Sequence, residues 1–223
     1  MTTWVIQAQE IKGPILVHRA NRYLMTSDGS PFFWMADTAW ELFHRLDQTE
    51  AVYYPDTRKE QGFNWNVFAG AAGQTYGCHA VWQLYDLDKS PINAPLKPWK
   101  LSLDLEVANQ VKHIKKLMLS RPNFDRRPDQ SLIASTQLDD EFYITAIRGN
   151  DGCFAFIYFP NGKSIQLNLT LMTGEYFKST WFDPRTGVEI KSGKNLMKGS
   201  NVLVSPPSEG RGNDWVLILD AID

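Results

Sequence analysis

The sequence predicts a chain in two parts, a mixed α/β region followed by a small antiparallel β-sandwich. An apolar run at 32–36 ends in Asp37 and leads into a helical pattern, which is the order of a buried parallel strand and its crossover helix. Residues 121–131 are rich in proline and charge, as linkers between domains are. From residue 131 onward, short alternating segments follow one another between turn residues, which is typical of a sandwich.

The composition is that of an ordinary globular protein and argues against several classes of partner. Of the 223 residues, 43% are hydrophobic and 22% are charged, and the formal net charge is -2. Because this charge provides no basic surface, we expect neither a nucleic acid nor a membrane as partner. Cys78 and Cys153 define neither a zinc site nor a disulfide framework, and we expect no metal and no cofactor.

The N-terminal residues give an expectation about localisation. They lack the basic segment and the long apolar run of a signal peptide, and no stretch of the chain reaches membrane-spanning length. The sequence alone therefore indicates a cytoplasmic protein, or a fragment that has lost its export signal, and exported relatives are compatible with it.

The stretch 31–46 carries the first candidate site residues, Asp37, Trp40 and Glu41. They follow the predicted buried strand, and ligands of parallel α/β folds bind just beyond the carboxyl ends of strands. Each residue has a purely structural alternative. Asp37 could be a helix N-cap, Trp40 a core aromatic, and Glu41 a solvated acid favoured by the dipole of the first helical turn.

The rest of the first part contains a second group of candidates. We predict a second strand at 63–68, a loop from 70 to 86 and an amphipathic helix at 105–120. The loop is dense in aromatic and hydrogen-bonding side chains. Aromatic side chains suit the apolar face of a sugar ring, and they serve equally well in a core, which is the more common role of a single Trp. Its candidate site residues are Tyr76, His79, Trp82 and Gln83.

In the second part of the chain, the sequence predicts about seven short strands. Turn residues at 150–152 and 160–162 separate three of them, and the segment 164–170 alternates cleanly between apolar and polar residues. The predicted strands are 141–148, 153–159, 164–170, 176–182, 188–191, 201–205 and 214–220.

Four segments resemble the apiosidase-like glycoside hydrolases. The family's start is similar to residues 21–46, NRYLMTSDGSPFFWMADTAWELFHRL, and its last barrel segment is similar to 70–83, GAAGQTYGCHAVWQ. Its linker resembles residues 120–134, and the end of its C-terminal sandwich resembles residues 206–220, PPSEGRGNDWVLILD. That sandwich carries a collagen-binding label in the family, although nothing in the residues of this sandwich argues for collagen.

The resemblance implies a (β/α)₈ barrel, and this chain is too short to contain one. Such a barrel takes about 250 residues, whereas the predicted sandwich begins after about 130. We therefore expect an incomplete barrel-like region at 1–130, followed by the sandwich at 131–223. Glycoside hydrolysis needs two carboxylates about 5–10 Å apart, and the resemblance implies that both lie on the missing strands. The catalytic residues thus stay unassigned, and Asp37 and Glu41 match a sugar-binding position.

Two hypotheses about function follow. The first is a glycoside hydrolase-related protein that acts on or binds plant-type polysaccharide side chains and is catalytically impaired. The second is a non-catalytic remnant in which the sandwich binds carbohydrate or has a structural role. In both cases we expect a carbohydrate ligand, together with self-association through the unpaired sheet edges of a broken barrel.

Overall fold

The structure is a computed structural model that describes residues 13–19, 23–37, 45–47, 49–50, 68, 73–121, 126–137 and 142–222. The chain divides into two compact units. The first consists of residues 1–63 and 72–119, and the second of residues 64–71 and 120–223. In the described parts, no helix is long and apolar enough to cross a membrane.

The first unit begins with a small antiparallel meander. Its strands are β1 (Leu16–Val17), β2 (Leu24–Met25) and β3 (Pro31–Phe32). The turn between β2 and β3 contains Gly29 at a φ of +87°, a conformation that glycine adopts without a steric penalty. Next to it, the carboxylate of Asp28 accepts from the backbone N–H of Ser30 at 3.0 Å. The turn residues Ser27, Asp28 and Gly29 thus join β2 and β3 into a hairpin.

The predicted strand at 32–36 is divided between two sheets. β3 belongs to the meander, while β4 (Trp34–Asp37) pairs in parallel with β5 (Gly73–Tyr76). Phe33 lies between the two strands and is 2% exposed, whereas Trp34 is 46% exposed, so the run is not buried on both faces as predicted. Of the predicted helix at 38–46, residues 38–44 lie outside the described part of the chain, and Arg45 is helical.

The pairing of β4 with β5 corrects the predictions for the following segment. Residues predicted as loop form β5, because hydrogen bonding to β4 imposes strand geometry on a polar sequence that does not alternate. The predicted strand at 63–68 lies outside the described residues except for Phe68, which is helical rather than extended.

Three helices complete the described part of the first unit: α1 (His79–Trp82), α2 (Trp99–Ser102) and α3 (Glu106–Leu119). The helix predicted at 105–120 is confirmed as α3. Its predicted apolar face is buried at Ala108, Ile114, Leu117 and Met118. A small core joins α1 to α2, because Val81, Leu84, Trp99 and Leu103 form one buried cluster.

The second unit is built on a six-stranded antiparallel sheet in the order β11-β10-β13-β8-β7-β6. A two-stranded sheet of β9 and β12 accompanies it. The bounds are β6 (Arg126–Pro128), β7 (Thr145–Gly149), β8 (Phe154–Phe159), β9 (Ile165–Leu167), β10 (Tyr176–Asp183), β11 (Val188–Met197), β12 (Val202–Val204) and β13 (Trp215–Ile222).

One hydrophobic core lies between these two sheets. Alternate residues of the central strands β8 and β13, such as Ile157 and Leu217, share it with Leu167 of β9 and Val204 of β12. This is the sandwich arrangement expected from strands with one inward-facing row of side chains. β8 is buried at every position, because it is central and both of its faces are covered. The prediction of antiparallel strands from residue 131 onward is thereby confirmed.

Three strands differ from their predictions by three or more residues in length. The predicted strand at 141–148 is one of them, since β7 begins only at Thr145. The predicted strand at 164–170 ends at Leu167, because Asn168 accepts the N–H of Thr170 at 3.2 Å and starts a 3₁₀ turn. The predicted strand at 188–191 continues as β11 to Met197, because an irregularity between Lys178 and Thr180 lets it follow β10 along its full length.

Part of the predicted linker is ordered against the sandwich. Residues 126–128 form β6 beside β7, and the Arg121 guanidinium donates to both carboxylate oxygens of Asp220, at 2.6 and 2.7 Å. Asp129 receives the Nε and Nη2 groups of Arg148 at 2.8 and 2.7 Å. The segment after α3 is therefore fixed to the six-stranded sheet by two charged pairs.

The ion pair of Asp129 with Arg148 makes the stability of the second unit depend on pH. Burial alone would raise the pKa of Asp129, but hydrogen bonds from Ser131 and Arg148 outweigh burial and lower it. A carboxyl group whose folded pKa is lowered stabilises the fold above its unfolded pKa, and this contribution is lost as the pH falls through the folded value.

We therefore expect Asp129→Asn to reduce the free energy of unfolding by about 1–3 kcal/mol at pH 7, and by much less at about pH 3. Urea unfolding at both pH values measures the difference. Glu189→Gln on the exposed strand β11 is the control, and an equal loss for Asp129→Asn at both pH values would contradict the assignment.

Candidate functional site

Two of the candidate residues lie at the carboxyl ends of β4 and β5. Asp37 is the last residue of β4 and Tyr76 the last residue of β5, and the two are direct partners in the parallel register. Sequence reasoning assigned them to opposite walls of one site, and the backbone places them side by side at one edge of the strand pair. Trp40 and Glu41 lie outside the described residues.

The chain continues from β5 into α1, which carries two of the remaining candidates. His79 and Trp82 are three residues apart on this short helix and so project from the same side. Their rings stack with centroids 5.5 Å apart and an interplanar angle of 25°. The His79 side chain is exposed and Trp82 is half-buried. The pair therefore offers an aromatic surface and a ring nitrogen close to the end of β5.

Gln83 has a different environment from the other candidates. It is 0% exposed, and its amide nitrogen donates to the carbonyl oxygens of His79 and Ile92 at 3.1 and 3.0 Å. Its amide oxygen accepts the N–H of Ile92 at 2.8 Å. A ligand contact of the kind predicted for Gln83 would require these bonds to break. The side chain holds the following loop against α1.

Further hydrogen bonds and an ion pair hold this loop, residues 85–98, in place. The backbone N–H of Trp99 donates to the Tyr85 carbonyl at 2.7 Å, and the Arg45 guanidinium donates to the Ser90 carbonyl at 3.1 Å. Beside it, Glu50 forms ion pairs with Lys100 at 2.6 Å and with Lys89 at 3.7 Å. Sequence reasoning missed these anchors, because no spacing pattern links residues 45 and 50 to residues 89–100.

Of the acids after the aromatic segment, Asp86 makes a local contact: its carboxylate accepts from the backbone N–H of its neighbour Leu87 at 2.9 Å. Among the residues that the structure describes, no three His, Cys, Asp or Glu side chains are grouped so that they could hold a metal ion.

The second unit contains a polar cluster that sequence reasoning did not single out. The Arg185 guanidinium lies over the Trp215 ring at 5.0 Å and donates to Asp183 at 2.8 Å and to the Gly212 carbonyl at 2.8 Å. Asp214 lies beside it; burial raises the pKa of its carboxyl, to which the Tyr158 hydroxyl donates at 3.3 Å. These contacts fix the loop at 206–214, which precedes β13 and forms the first part of the family-like motif at 206–220.

Two family models match the chain. The model for the apiosidase-like catalytic domain matches residues 18–64 and 65–125. The model described as "Putative collagen-binding domain of a collagenase" matches residues 127–220. The search of curated proteins found no match.

Two solved structures are similar to the chain. One, described as a glycoside hydrolase, has a TM-score of 0.66 and 28% identity, and the match covers 82% of this chain and 39% of that one. The other, a glycoside hydrolase family 5 protein from Bacteroides vulgatus, has a TM-score of 0.65 and 29% identity, and the match covers 74% of this chain and 35% of that one. The chain thus spans well under half the length of either structure.

The fold and the solved structures together define a glycoside hydrolase-like protein. The two family models narrow this class, since both of them match and together they extend over most of the sequence. Together, the family models and the similar solved structures support an apiosidase-like glycoside hydrolase family for this chain.

Proposed function

We propose that this chain binds carbohydrate at the carboxyl edge of β4 and β5 and that its glycoside hydrolase activity is impaired. The parallel pairing of β4 with β5, which places Asp37 beside Tyr76, carries this proposal. In a closed (β/α)₈ barrel, the first and last strands are parallel neighbours and the active site lies at their carboxyl ends. We therefore take β4 as the first strand and β5 as the last strand of an incomplete barrel.

The proposed loss of activity follows from the part of the barrel that we take to be missing between β4 and β5. The catalytic family model matches in two segments that adjoin at residues 64 and 65, as expected if the middle of the domain is missing there. The similar glycoside hydrolases are also much longer than this chain. A hydrolase needs a proton donor and a second carboxylate across the scissile bond. We propose that the missing strands carried that pair.

The proposed ligand is a plant-type polysaccharide side chain. Asp37, with Trp40 and Glu41, would supply one wall of the binding edge, and Tyr76 with the ring pair of His79 and Trp82 would supply the other. Support comes from the stacked, accessible ring pair, because an aromatic face suits the apolar face of a sugar and a ring nitrogen suits its hydroxyls. Gln83 supports this wall from behind through its bonds to the loop.

A binding measurement tests this proposal. We expect pectic side-chain oligosaccharides to bind weakly, and Trp82→Ala to weaken binding by about 2- to 10-fold, because one stacked ring contributes about 0.5–1.5 kcal/mol. NMR or calorimetric titration measures the dissociation constants. An unchanged affinity in Trp82→Ala would contradict the proposed wall.

The alternative, carbohydrate binding by the sandwich, is favoured by one observation. Tyr176 of β10 is 53% exposed and pairs with Met197 of β11 and Ile222 of β13, which are 63% and 37% exposed. These three side chains form an accessible row across adjacent strands. Tyr176→Ala is therefore the matched variant for the titration, and a loss of affinity in this variant alone would favour the alternative.

We also propose that the chain self-associates through sheet edges. In the described part of the chain, β11 is an outer strand of the six-stranded sheet, and Val188 and Ile190 on it are exposed. An outer strand presents unpaired backbone groups that can pair with a second chain. We expect light scattering coupled to size exclusion to give a mass above that of one chain. A monomer over a hundredfold range of concentration would contradict this expectation.

A further inference from the structure

The carbonyl oxygen of Ile92 receives two side-chain nitrogens at once. The Nε2 atom of His79 and the amide nitrogen of Gln83 each lie 3.0 Å from it. A backbone carbonyl can only accept hydrogen bonds, and its two lone pairs allow two donors. Both nitrogens must therefore carry a hydrogen when these contacts form.

The orientation of the Gln83 amide is fixed independently of His79. The backbone N–H of Ile92 can only donate, and it lies 2.8 Å from one end of the amide. That end is therefore the oxygen. The opposite end is the NH₂ group, which faces the carbonyls of His79 and Ile92. In the reverse orientation, the amide oxygen would face the two carbonyl oxygens, and the NH₂ group would face the N–H of Ile92. Neither contact could be a hydrogen bond, so the orientation of the amide has a single assignment.

We propose that this clamp presets His79 as a hydrogen-bond acceptor for a ligand hydroxyl, with Gln83 as its positioning residue. Because Nε2 carries the hydrogen that points to Ile92, the neutral ring has its lone pair on Nδ1. The structure records no partner for Nδ1 among the described residues, and the side chain is exposed. The stack on Trp82 fixes the plane of the ring, and therefore the direction of that lone pair.

The chemistry of this arrangement selects the ligand class. A lone pair held beside an aromatic face is complementary to a molecule that has O–H donors next to a C–H face. Sugars have this combination, whereas anions repel a lone pair and carry no donor for it. The assignment of the ligand rests on the proposed function above, but the assignment of the tautomer does not, because it follows from hydrogen bonds within the protein.

Long-range ¹H–¹⁵N correlation spectra of the histidine-labelled full chain test the tautomer directly. At about pH 8.5, we expect His79 to show a pyridine-like Nδ1 and a protonated Nε2 whose hydrogen exchanges slowly with water. The spectrum of His79→Asn identifies the signals among those of the four histidines. A pyridine-like Nε2 in the unmodified protein would overturn the proposal without any variant being needed.

Two variants test the clamp. In Gln83→Met, we expect the Nε2 hydrogen to exchange at least tenfold faster, because Ile92 loses both of its hydrogen bonds to the Gln83 amide. In Gln110→Leu, whose amide donates to Glu106 on the surface of α3, we expect no change. Circular dichroism of both variants checks the fold, and an unchanged exchange rate in a folded Gln83→Met would overturn the role of Gln83.

Titration of the labelled protein with a pectic oligosaccharide tests the acceptor role. We expect the Nδ1 signal to shift as the ligand binds, and His79→Asn to bind more weakly. Binding that leaves Nδ1 unmoved would overturn the acceptor role. A complete absence of binding, together with the expected tautomer, would overturn the proposed function and leave the preset tautomer standing.

Discussion

The purified protein is expected to hydrolyse aryl glycosides and pectic side chains no faster than the uncatalysed background. Catalysis of this reaction depends on two carboxyl groups on opposite sides of the glycosidic bond, one giving a proton and the other acting on the sugar or on a water. At the β4 and β5 edge, the sequence supplies one carboxylate at a strand end, Asp37, and Glu41 follows it on the same segment of chain. Acids four residues apart on a helical segment would lie on the same side of it, whereas the reaction uses groups on opposite sides of the sugar.

The expected effect is large. Glycosidases exceed the uncatalysed rate by many orders of magnitude, and loss of single catalytic groups in well-studied enzymes costs about 10⁴- to 10⁶-fold in kcat. Loss of a binding contact costs only a few kcal/mol, so weak sugar affinity can outlast the activity.

The hydrolysis rates of the purified protein and of its Asp37→Ala variant are measured on a panel of fluorogenic aryl glycosides. We expect both proteins to release product at the same background rate. Turnover above background that disappears in Asp37→Ala would show that the β4 and β5 edge is catalytic. Turnover that is equal in both proteins and scales with protein concentration would place the active carboxylates elsewhere in the chain.

The strands of the second unit were predictable from sequence because the signals that define them are local. The alternation of Ile165, Gln166 and Leu167 assigns one face to the core, and the structure buries the first and third of these residues. Turns such as 150–152 contain a residue free to adopt positive φ, and Gly152 does so at +76°. Each of these features can be recognised within a few residues, without knowledge of the partner strand.

The first unit was less predictable because its structure depends on distant partners. Gly73–Tyr76 has no strand pattern of its own and becomes β5 through pairing with β4, which is more than thirty residues earlier. The bonds from Gln83 to Ile92 and from Arg45 to Ser90 are side chain to backbone contacts, which leave no periodic trace in sequence. The family resemblance did identify the motif that contains β5 and α1, although not the fact that Gln83 is buried.

Gly73→Ala is expected to separate β4 from β5. A Cβ atom at this position would lie 2.1 Å from the carbonyl oxygen of Trp34 and 2.4 Å from its Cβ, far inside van der Waals contact. The first of these atoms belongs to the backbone, so relief requires the two strands to move apart. Glycine at this position is thus a requirement of close strand approach, independent of any special backbone angle.

We expect the substitution to lower the free energy of unfolding of the first unit by about 3–4 kcal/mol, at the upper end for single substitutions, because it breaks pairing as well as creating a clash. Urea unfolding measures this loss, and hydrogen exchange of the β5 amides localises it. Affinity for an oligosaccharide is expected to fall as well, since Asp37 and Tyr76 would no longer be neighbours.

Gly199→Ala is the matched control, because a Cβ there meets only the Val202 side chain, at an ordinary 3.4 Å. It is expected to leave stability within about 0.5 kcal/mol of the starting protein. If Gly73→Ala behaves like this control, with β5 amides equally protected, then β4 and β5 do not pair as described. The binding edge assigned to Asp37 and Tyr76 would then have no structural basis.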